Sequence, residues 1–227
     1  MFIPVGTEEP QPRKKFPLMT ILLILINVAV YIFEAQIAFN QGSYALENFM
    51  TNYGVVPALI MRGESLITLL TSMFIHAGLT HILFNMLFLL VFGDNVEDKL
   101  GHLGFLIFYL VTGLVASFSQ IAVEPSSMIT SVGASGAIAG VLGAYLILFP
   151  SGYVRAFIFL GFLMRISRVP AVIFIGFWFI IQFLNGMITL GVNTIETGGV
   201  AYWAHIGGFV AGSVLSIIYR VSHARTF

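Results

Sequence analysis

The sequence contains no cysteine, and only 9% of its 227 residues are charged. Without a thiol the chain has no disulfide, no thiol nucleophile and no thiolate metal site. Ten basic residues balance ten acidic ones, so no overall positive field attracts nucleic acid, which we exclude as a partner. A His-Glu-x-x-His zinc motif is also missing. These absences exclude thiol chemistry and remove the commonest signature of a metalloprotease.

Apolar residues fill most of the chain instead, at 58% of the total with a mean hydropathy of +0.97. A soluble domain averages ~25% charged residues, and a membrane helix needs ~20 consecutive, mainly apolar residues. Two of the apolar segments found here, the second and the fourth, are short for that purpose. We predict an all-α membrane protein, a bundle of six transmembrane helices at about residues 17–39, 79–92, 103–123, 133–149, 169–190 and 199–219.

The N-terminal residues 1–16 are polar and end near the basic cluster Arg13, Lys14 and Lys15. We predict a short disordered cytoplasmic tail there, followed by one membrane domain over residues 17–227. The first apolar segment starts like a signal peptide. However, its length exceeds the ~7–15 residues of a cleavable core and no small-x-small site follows, so we expect it to remain in the mature protein.

The basic residues indicate the orientation, because cytoplasmic loops retain an excess of Lys and Arg. Six spans with the N-terminus inside place every Lys and Arg except Arg62 on the inner side. We therefore predict that both termini are cytoplasmic, in a multi-pass protein of the plasma membrane. Two connections carry apolar stretches that suit helices lying in the membrane interface: residues 55–60 and 66–75 outside, and the stretch 155–168 inside.

Polar residues inside membrane spans are expensive and are therefore functional candidates. His81 and Asn85 share one face of the second segment at i and i+4, Ser135 opens the fourth between Gly133 and Gly136, and His205 lies in the sixth. With ~1.5 Å of rise per residue, all of them fall ~3–10 Å below the outer ends of their spans. This common depth predicts one water-filled pocket that opens to the outside.

The residue types in this layer suit peptide hydrolysis. A serine hydroxyl becomes a good nucleophile when a neutral imidazole accepts its proton. Glu34 is the acidic residue near this depth, so the pattern favours a Ser135–His205 dyad over a triad. The Ser135 amide, His81 and Asn85 can supply oxyanion donors. Paired small residues, Gly136 with Gly140 and Gly208 with Gly212, favour close packing of the fourth and sixth segments.

Together these motifs resemble the rhomboid family of intramembrane serine proteases over about residues 66–216. The matching pieces, in the order of the family, are His76 with His81-Ile-Leu-Phe-Asn85, then Gly133-Ala134-Ser135-Gly136, then Ala204-His205 with Gly208 and Gly212. The resemblance implies a six-helix bundle that cuts single-span or other membrane proteins near the outer face, without metal or cofactor.

By the same resemblance, Ser135 is the nucleophile and His205 the general base. His81, Asn85 and Gly133 form the oxyanion and substrate-binding set. The fifth span, or the loop 191–198 after it, would move to admit substrate from the lipid. Two departures concern the surroundings: Ile67 and Thr68 stand where many members have a Trp-Arg pair, and Ala139 stands where some have a tyrosine that packs on the catalytic imidazole.

Other interpretations remain open. The chain can be an inactive relative that only binds membrane segments, although that function would need neither Ser135 nor His205. A small transporter or channel is disfavoured by the lack of charge in the central spans. Individually, Ser135 can be a helix cap and Asn85 an interhelical hydrogen-bonding residue, and for His76 we expect a structural hydrogen bond. We also expect a solvated helix end at Asp94, Glu97 and Asp98.

Overall fold

The computed structural model describes residues 2–10, 14–160, 163–190 and 200–223. This part of the chain holds three strands, β1 (Phe2–Glu8), β2 (Tyr153–Leu160) and β3 (Leu163–Pro170). It also holds nine α-helices: α1 (Leu18–Gln41), α2 (Ser43–Tyr53), α3 (Pro57–Met61), α4 (Thr68–Thr71), α5 (Leu79–Leu100), α6 (His102–Val123), α7 (Ser135–Leu148), α8 (Ala171–Thr189) and α9 (Tyr202–Ser222). One turn of 3₁₀ helix, Ser72–Phe74, follows α4. The six apolar segments correspond to α1 and α5 to α9.

Five of these helices, α1, α5, α6, α8 and α9, are long and apolar enough to cross a membrane. The chain is therefore a multi-pass membrane protein with a mostly helical fold. The fourth apolar segment forms α7, which has only 14 residues. At ~1.5 Å per residue it extends about 21 Å, which is less than the ~30 Å thickness of a hydrocarbon core.

The short helix α7 lies at the centre of the bundle, in contact with α5, α6, α8 and α9. Eleven of its 14 residues are buried, and a helix that is apolar on all sides is typical of a protein interior. Its neighbours, and not lipid, surround most of its surface. For this reason α7 does not have to match the thickness of the bilayer.

The contact between α7 and α9 is close enough to join backbone to backbone. A Cβ atom added at Gly208 would overlap the carbonyl oxygen of Gly136, and one added at Gly212 would overlap that of Gly140. Glycines allow this approach because they carry no side chain. The predicted pairing of the fourth and sixth segments is confirmed, and it holds the start of α7 against the start of α9.

The first turn of α1 is held by a carboxylate from α5. Glu97 is fully buried and accepts hydrogen bonds from the backbone amides of Met19 and Thr20, both at 2.8 Å, and from the Thr20 hydroxyl at 2.7 Å. Oε1, which accepts the Met19 amide, also contacts His102 Nδ1 at 2.5 Å. The first amides of a helix have no acceptor within that helix, and Glu97 supplies one. The expectation of a solvated helix end is therefore wrong for Glu97.

A three-stranded antiparallel sheet, in the order β1-β2-β3, is the main departure from the all-α prediction. The expected interfacial helix at residues 155–168 is instead the hairpin of β2 and β3, and residues 2–8 of the expected disordered tail form β1. The alternation of buried Val154 and Ala156 with exposed Arg155 explains the strand. In β3, Arg168 bonds Glu8 at 2.8 Å and so ties the sheet together.

The long connection between α1 and α5 folds over the opposite end of the bundle. As expected, its two apolar stretches contribute helices, α3 and α4 with the 3₁₀ turn, whereas α2 was not expected. Val55, Ile60 and Leu69 pack in a small apolar cluster with Ile121 of α6. Val55 also pairs with Ser131 as an isolated β-bridge, with hydrogen bonds of 2.8 and 2.9 Å. The connection is thereby fixed beside the segment that precedes α7.

Candidate active site

The candidate residues converge because three helices begin at the same end of the bundle. His81 is the third residue of α5, Ser135 the first of α7 and His205 the fourth of α9. The glycine contacts between α7 and α9 bring the last two together. Positive partial charge gathers at helix N-termini, so this end of the bundle suits developing negative charge.

Ser135 and His205 are joined by a hydrogen bond of 2.8 Å between Oγ and Nε2. Both side chains are partly exposed. When Nε2 carries no proton, it can accept the serine proton, which is the arrangement that activates a hydroxyl for attack. The structure therefore brings together the two residues that the sequence selected as nucleophile and base.

The other ring nitrogen of His205, Nδ1, lies 2.8 Å from the side-chain oxygen of Gln182 on α8. Gln182 was not among the site residues predicted from the sequence. A signal was present, since Gln182 is an amide inside the apolar run of the fifth span, where polar side chains are functional candidates. The acidic residue at that depth, Glu34, accepts the His76 backbone amide instead.

Aromatic rings also surround His205. Trp178 on α8 has its ring centroid 6.1 Å from that of the imidazole, and Tyr202 on α9 meets it edge-on at 6.4 Å. Ala139, which stands where some family members have a tyrosine, is fully buried within α7. The aromatic rings beside the imidazole thus come from α8 and α9, whereas α7 contacts it through Ser135.

A cavity of about 800 Å³ lies over the serine and the histidine. Its walls combine the predicted residues with polar groups from α6 and the outer connection: His81, Gly133, Ser135, His205, Gln120 and Ser72. Drug-sized ligands occupy pockets of ~300–1,000 Å³. The volume is therefore sufficient for several residues of an extended peptide.

Gly133 has a backbone conformation that other residues avoid, with φ at +126°. Its amide donates to the Ser72 carbonyl at 2.9 Å. A Cβ at this position would lie 2.7 Å from Cε1 of His81. Glycine is therefore required both for the turn that precedes α7 and for the approach of the His81 ring to the cavity.

Asn85 lies one turn beyond His81 on α5 and is 6% exposed, outside the residues that line the cavity. Its Nδ2 has no hydrogen-bond partner among the described residues. Buried amide donors are normally paired, so Nδ2 has bonding capacity to offer. The structure does not place Asn85 in direct contact with the serine and the histidine.

His76 is buried behind His81, with the two ring centroids 5.1 Å apart. Within the described part of the chain its ring nitrogens have no partner, and its hydrogen bonds to Glu34 come from the backbone amide. Burial lowers the pKa of His76 to about 4, helped by the neighbouring His81. His76 is thus neutral near pH 7.

The polar groups that the structure describes at this end do not form a metal site. In the residues that the structure describes, no three His, Asp or Glu side chains group together in a way that would hold a metal ion. The chemistry available to the site is that of a hydroxyl, an imidazole and amide donors. Such a set can transfer an acyl group through a covalent serine ester.

Comparison with known proteins identifies the family of the chain. The model of the Rhomboid domain matches residues 63–222. The chain is 32% identical to Rhomboid protease GluP of Bacillus subtilis over 214 residues, which cover 93% of the chain and 37% of GluP. It is 28% identical to Rhomboid protease AarA of Providencia stuartii over 215 residues, which cover 88% of the chain and 72% of AarA.

A plant protein is similar as well. RHOMBOID-like protein 4 of Arabidopsis thaliana is 26% identical over 240 residues, which cover 95% of the chain and 56% of that protein. The chain thus spans 37% of the length of GluP and 56% of the length of RHOMBOID-like protein 4. Since the domain model covers most of its length, the chain belongs to the rhomboid family of intramembrane proteases.

Proposed function

We propose that this chain is a serine endopeptidase that cleaves membrane segments of other membrane proteins near the outer face of the bilayer. The observation that carries the proposal is the 2.8 Å hydrogen bond between Ser135 Oγ and His205 Nε2 at the wall of a cavity among membrane helices. Two of the relatives, GluP and AarA, are named as rhomboid proteases, which supports the same activity here.

In the acylation step, Ser135 Oγ attacks the carbonyl carbon of the scissile peptide while its proton passes to His205 Nε2. The tetrahedral intermediate collapses when the C–N bond breaks, and the imidazolium returns the proton to the leaving amine. A water molecule then gives a proton to Nε2 as it attacks the carbonyl carbon of the Ser135 ester. The imidazolium returns that proton to Ser135 Oγ when the C–O bond breaks and the new carboxyl terminus is released. No metal or cofactor is needed for this sequence.

Three groups are proposed to stabilise the oxyanion. The Ser135 amide opens α7, where helix amides lack an intrahelical acceptor, and His81 reaches the cavity beside Gly133. Asn85 contributes through its unpaired Nδ2. For Nδ2 to reach the oxyanion, the substrate or α5 has to move by a small distance. Each such donor typically contributes ~2.7–4 kcal/mol to lowering the barrier.

A membrane segment has to reach the cavity from the lipid. α8 is a candidate gate because its outward side chains, including Phe177, Ile181 and Leu184, are exposed. The other candidate, the loop 191–198, lies outside the described residues. We propose that substrates, single-span or other membrane proteins, enter beside α8 and unwind near Ser135.

For the topology we propose six membrane-embedded helices, with α7 as the short one, in the plasma membrane. Both termini would then be cytoplasmic. The rule that basic residues stay inside supports this orientation. At the end of the bundle that carries the sheet lie Lys99, Arg155, Arg168 and Arg220, whereas Arg62 lies in the connection at the opposite end.

Labelling of purified protein with a serine-reactive fluorophosphonate tests the nucleophile. We expect the wild type and Ser117→Ala to be labelled, since Ser117 lines the same cavity without bonding His205, and Ser135→Ala to remain unlabelled. Incubation with a panel of single-span proteins should show cleavage by the wild type, and at least a ~10³-fold loss in Ser135→Ala and His205→Ala. Substrate binding should persist in both variants.

Equal labelling of the wild type and Ser135→Ala would discard Ser135 as the nucleophile. Undiminished turnover by His205→Ala would remove the dyad. Binding of membrane segments without cleavage by the wild type would instead identify an inactive relative that acts as a binding protein.

A further inference from the structure

The partner of His205 Nδ1 determines which ring nitrogen holds the proton. A neutral imidazole has one N–H donor and one bare acceptor. The side-chain oxygen of Gln182 can only accept, and it lies 2.8 Å from Nδ1. With this oxygen facing the ring, the proton resides on Nδ1, and the lone pair of Nε2 points to Ser135 Oγ at 2.8 Å.

We propose that Gln182 is a positioning residue that holds His205 in the tautomer and orientation of a general base, an inference that rests on the dyad proposed above. In soluble serine proteases a buried carboxylate performs this task. A carboxylate inside an apolar membrane helix is expensive. The neutral amide of Gln182 accepts the same hydrogen bond without placing a charge in α8.

The other neighbours of the imidazole cannot replace this function. The rings of Trp178 and Tyr202 lie against it with centroids 6.1 and 6.4 Å away. They restrict the plane of the imidazole, but they do not select which nitrogen is protonated. The buried Ala139 on α7 offers no polar atom from its side chain. The choice of tautomer therefore depends on Gln182.

This arrangement also links the base to the position of α8. Ser135 and His205 are carried by α7 and α9, which touch through their backbones, whereas Gln182 reaches His205 from α8. When α8 moves away from α9, Nδ1 loses its acceptor. The dyad is thus fully prepared only while α8 is seated against α9.

Substitution of Gln182 by residues of similar size distinguishes this role from packing. Gln182→Met keeps the volume but removes the acceptor, and we expect kcat for a model membrane segment to fall ~10–100-fold with KM within about twofold of wild type. The rate of fluorophosphonate labelling of Ser135 should fall in parallel. Gln182→Glu restores a carboxyl acceptor and should recover most of kcat. Asn185→Leu, another amide on α8, should behave like the wild type.

The order of kcat for Gln182→Met and Gln182→Glu distinguishes positioning from packing even if one variant is destabilised. A packing role predicts that apolar Met is tolerated better than charged Glu in a membrane helix, so kcat for Gln182→Met equal to or above that of Gln182→Glu overturns the proposal. Cleavage by Ser135→Ala, measured in the same assay, would overturn the dyad itself. The two failures are therefore distinguishable.

Discussion

The interface of α7 with α9 and that of α8 with α9 are built differently. Between α7 and α9, glycines let the backbones touch, and a Cβ at Gly208 or Gly212 would overlap a carbonyl of the partner helix. Along α8, by contrast, a Cβ at Gly176 meets nothing within 4 Å, and one at Gly186 meets mainly the tip of Ile206 at 3.1 Å. The backbones of α7 and α9 are therefore too close to shift relative to each other, whereas α8 contacts α9 through side chains.

This difference suits two tasks. A hydroxyl and an imidazole must stay within hydrogen-bonding distance through every catalytic cycle, which requires closely packed helices. A gate for substrates must separate from its neighbours at small free-energy cost, and side-chain contacts allow that. The comparison predicts that substitutions at the α7–α9 contact act on the chemistry, whereas constraints on α8 act on access.

The largest effect is expected from Gly208→Ala. The added methyl group overlaps the Gly136 carbonyl, so α9 must move away from α7 and separate His205 from Ser135. We expect at least a ~100-fold loss of both cleavage and fluorophosphonate labelling, since small displacements of reacting groups have effects of this size. Gly176→Ala, on the open face of α8, should retain wild-type rates. Similar activity in both variants would show that the close contact is dispensable.

A smaller and reversible effect is expected from tying α8 to α9. A Cβ at Gly186 lies 3.5 Å from Cβ of Tyr202, within the ~3.5–4.5 Å found across disulfides, and the chain has no other cysteine. In the oxidised double variant Gly186→Cys/Tyr202→Cys we expect cleavage of membrane segments to fall ~10-fold or more. Labelling of Ser135 by a small fluorophosphonate should persist because the Gln182 contact is preserved.

Reduction with a thiol should restore the cleavage, and each single cysteine variant under the same oxidising conditions supplies the control for loss of the glycine or the tyrosine. Undiminished cleavage by the cross-linked protein would show that α8 stays in place during catalysis. The loop 191–198 would then become the gate to test.

Helices and site residues were predictable to different degrees. The apolar segments gave the positions of α1 and α5 to α9, because length and hydropathy are local properties of the sequence. Ser135 and His205 could be selected together because two independent patterns agreed: their similar depth in their spans and the glycine pairs on α7 and α9. The number of helices that cross the whole bilayer was harder to predict. α7 has only 14 residues and is buried by the helices around it, so its length does not follow the thickness of the bilayer.

The sheet and the buried carboxylate were not predictable in this way. A short apolar run such as the one at β2 fits a helix or a strand equally well, and the choice depends on β1, which is about 150 residues earlier in the sequence. From sequence alone, Glu97 is interpreted as a solvated residue at a helix end. Only the folded chain brings the amides of Met19 and Thr20 to its carboxylate. Gln182 had a local signal, but its partner could be identified only from the packing of α8 on α9.

A further effect, on kcat alone, concerns Asn85, which belongs to neither interface. If its unpaired Nδ2 meets the developing oxyanion, Asn85→Ala should lower kcat by about 100-fold, with KM changed by less than about threefold. Asn95→Ala, an amide on the same helix that bonds Thr7 at 3.0 Å far from the cavity, is the matched control and should keep kcat near wild type. A rise in KM with unchanged kcat would assign Asn85 to ground-state binding, because a donor that acts on the transition state alone cannot produce that pattern. The oxyanion would then be left to His81 and the first amides of α7, both of which depend on the backbone conformation that Gly133 allows.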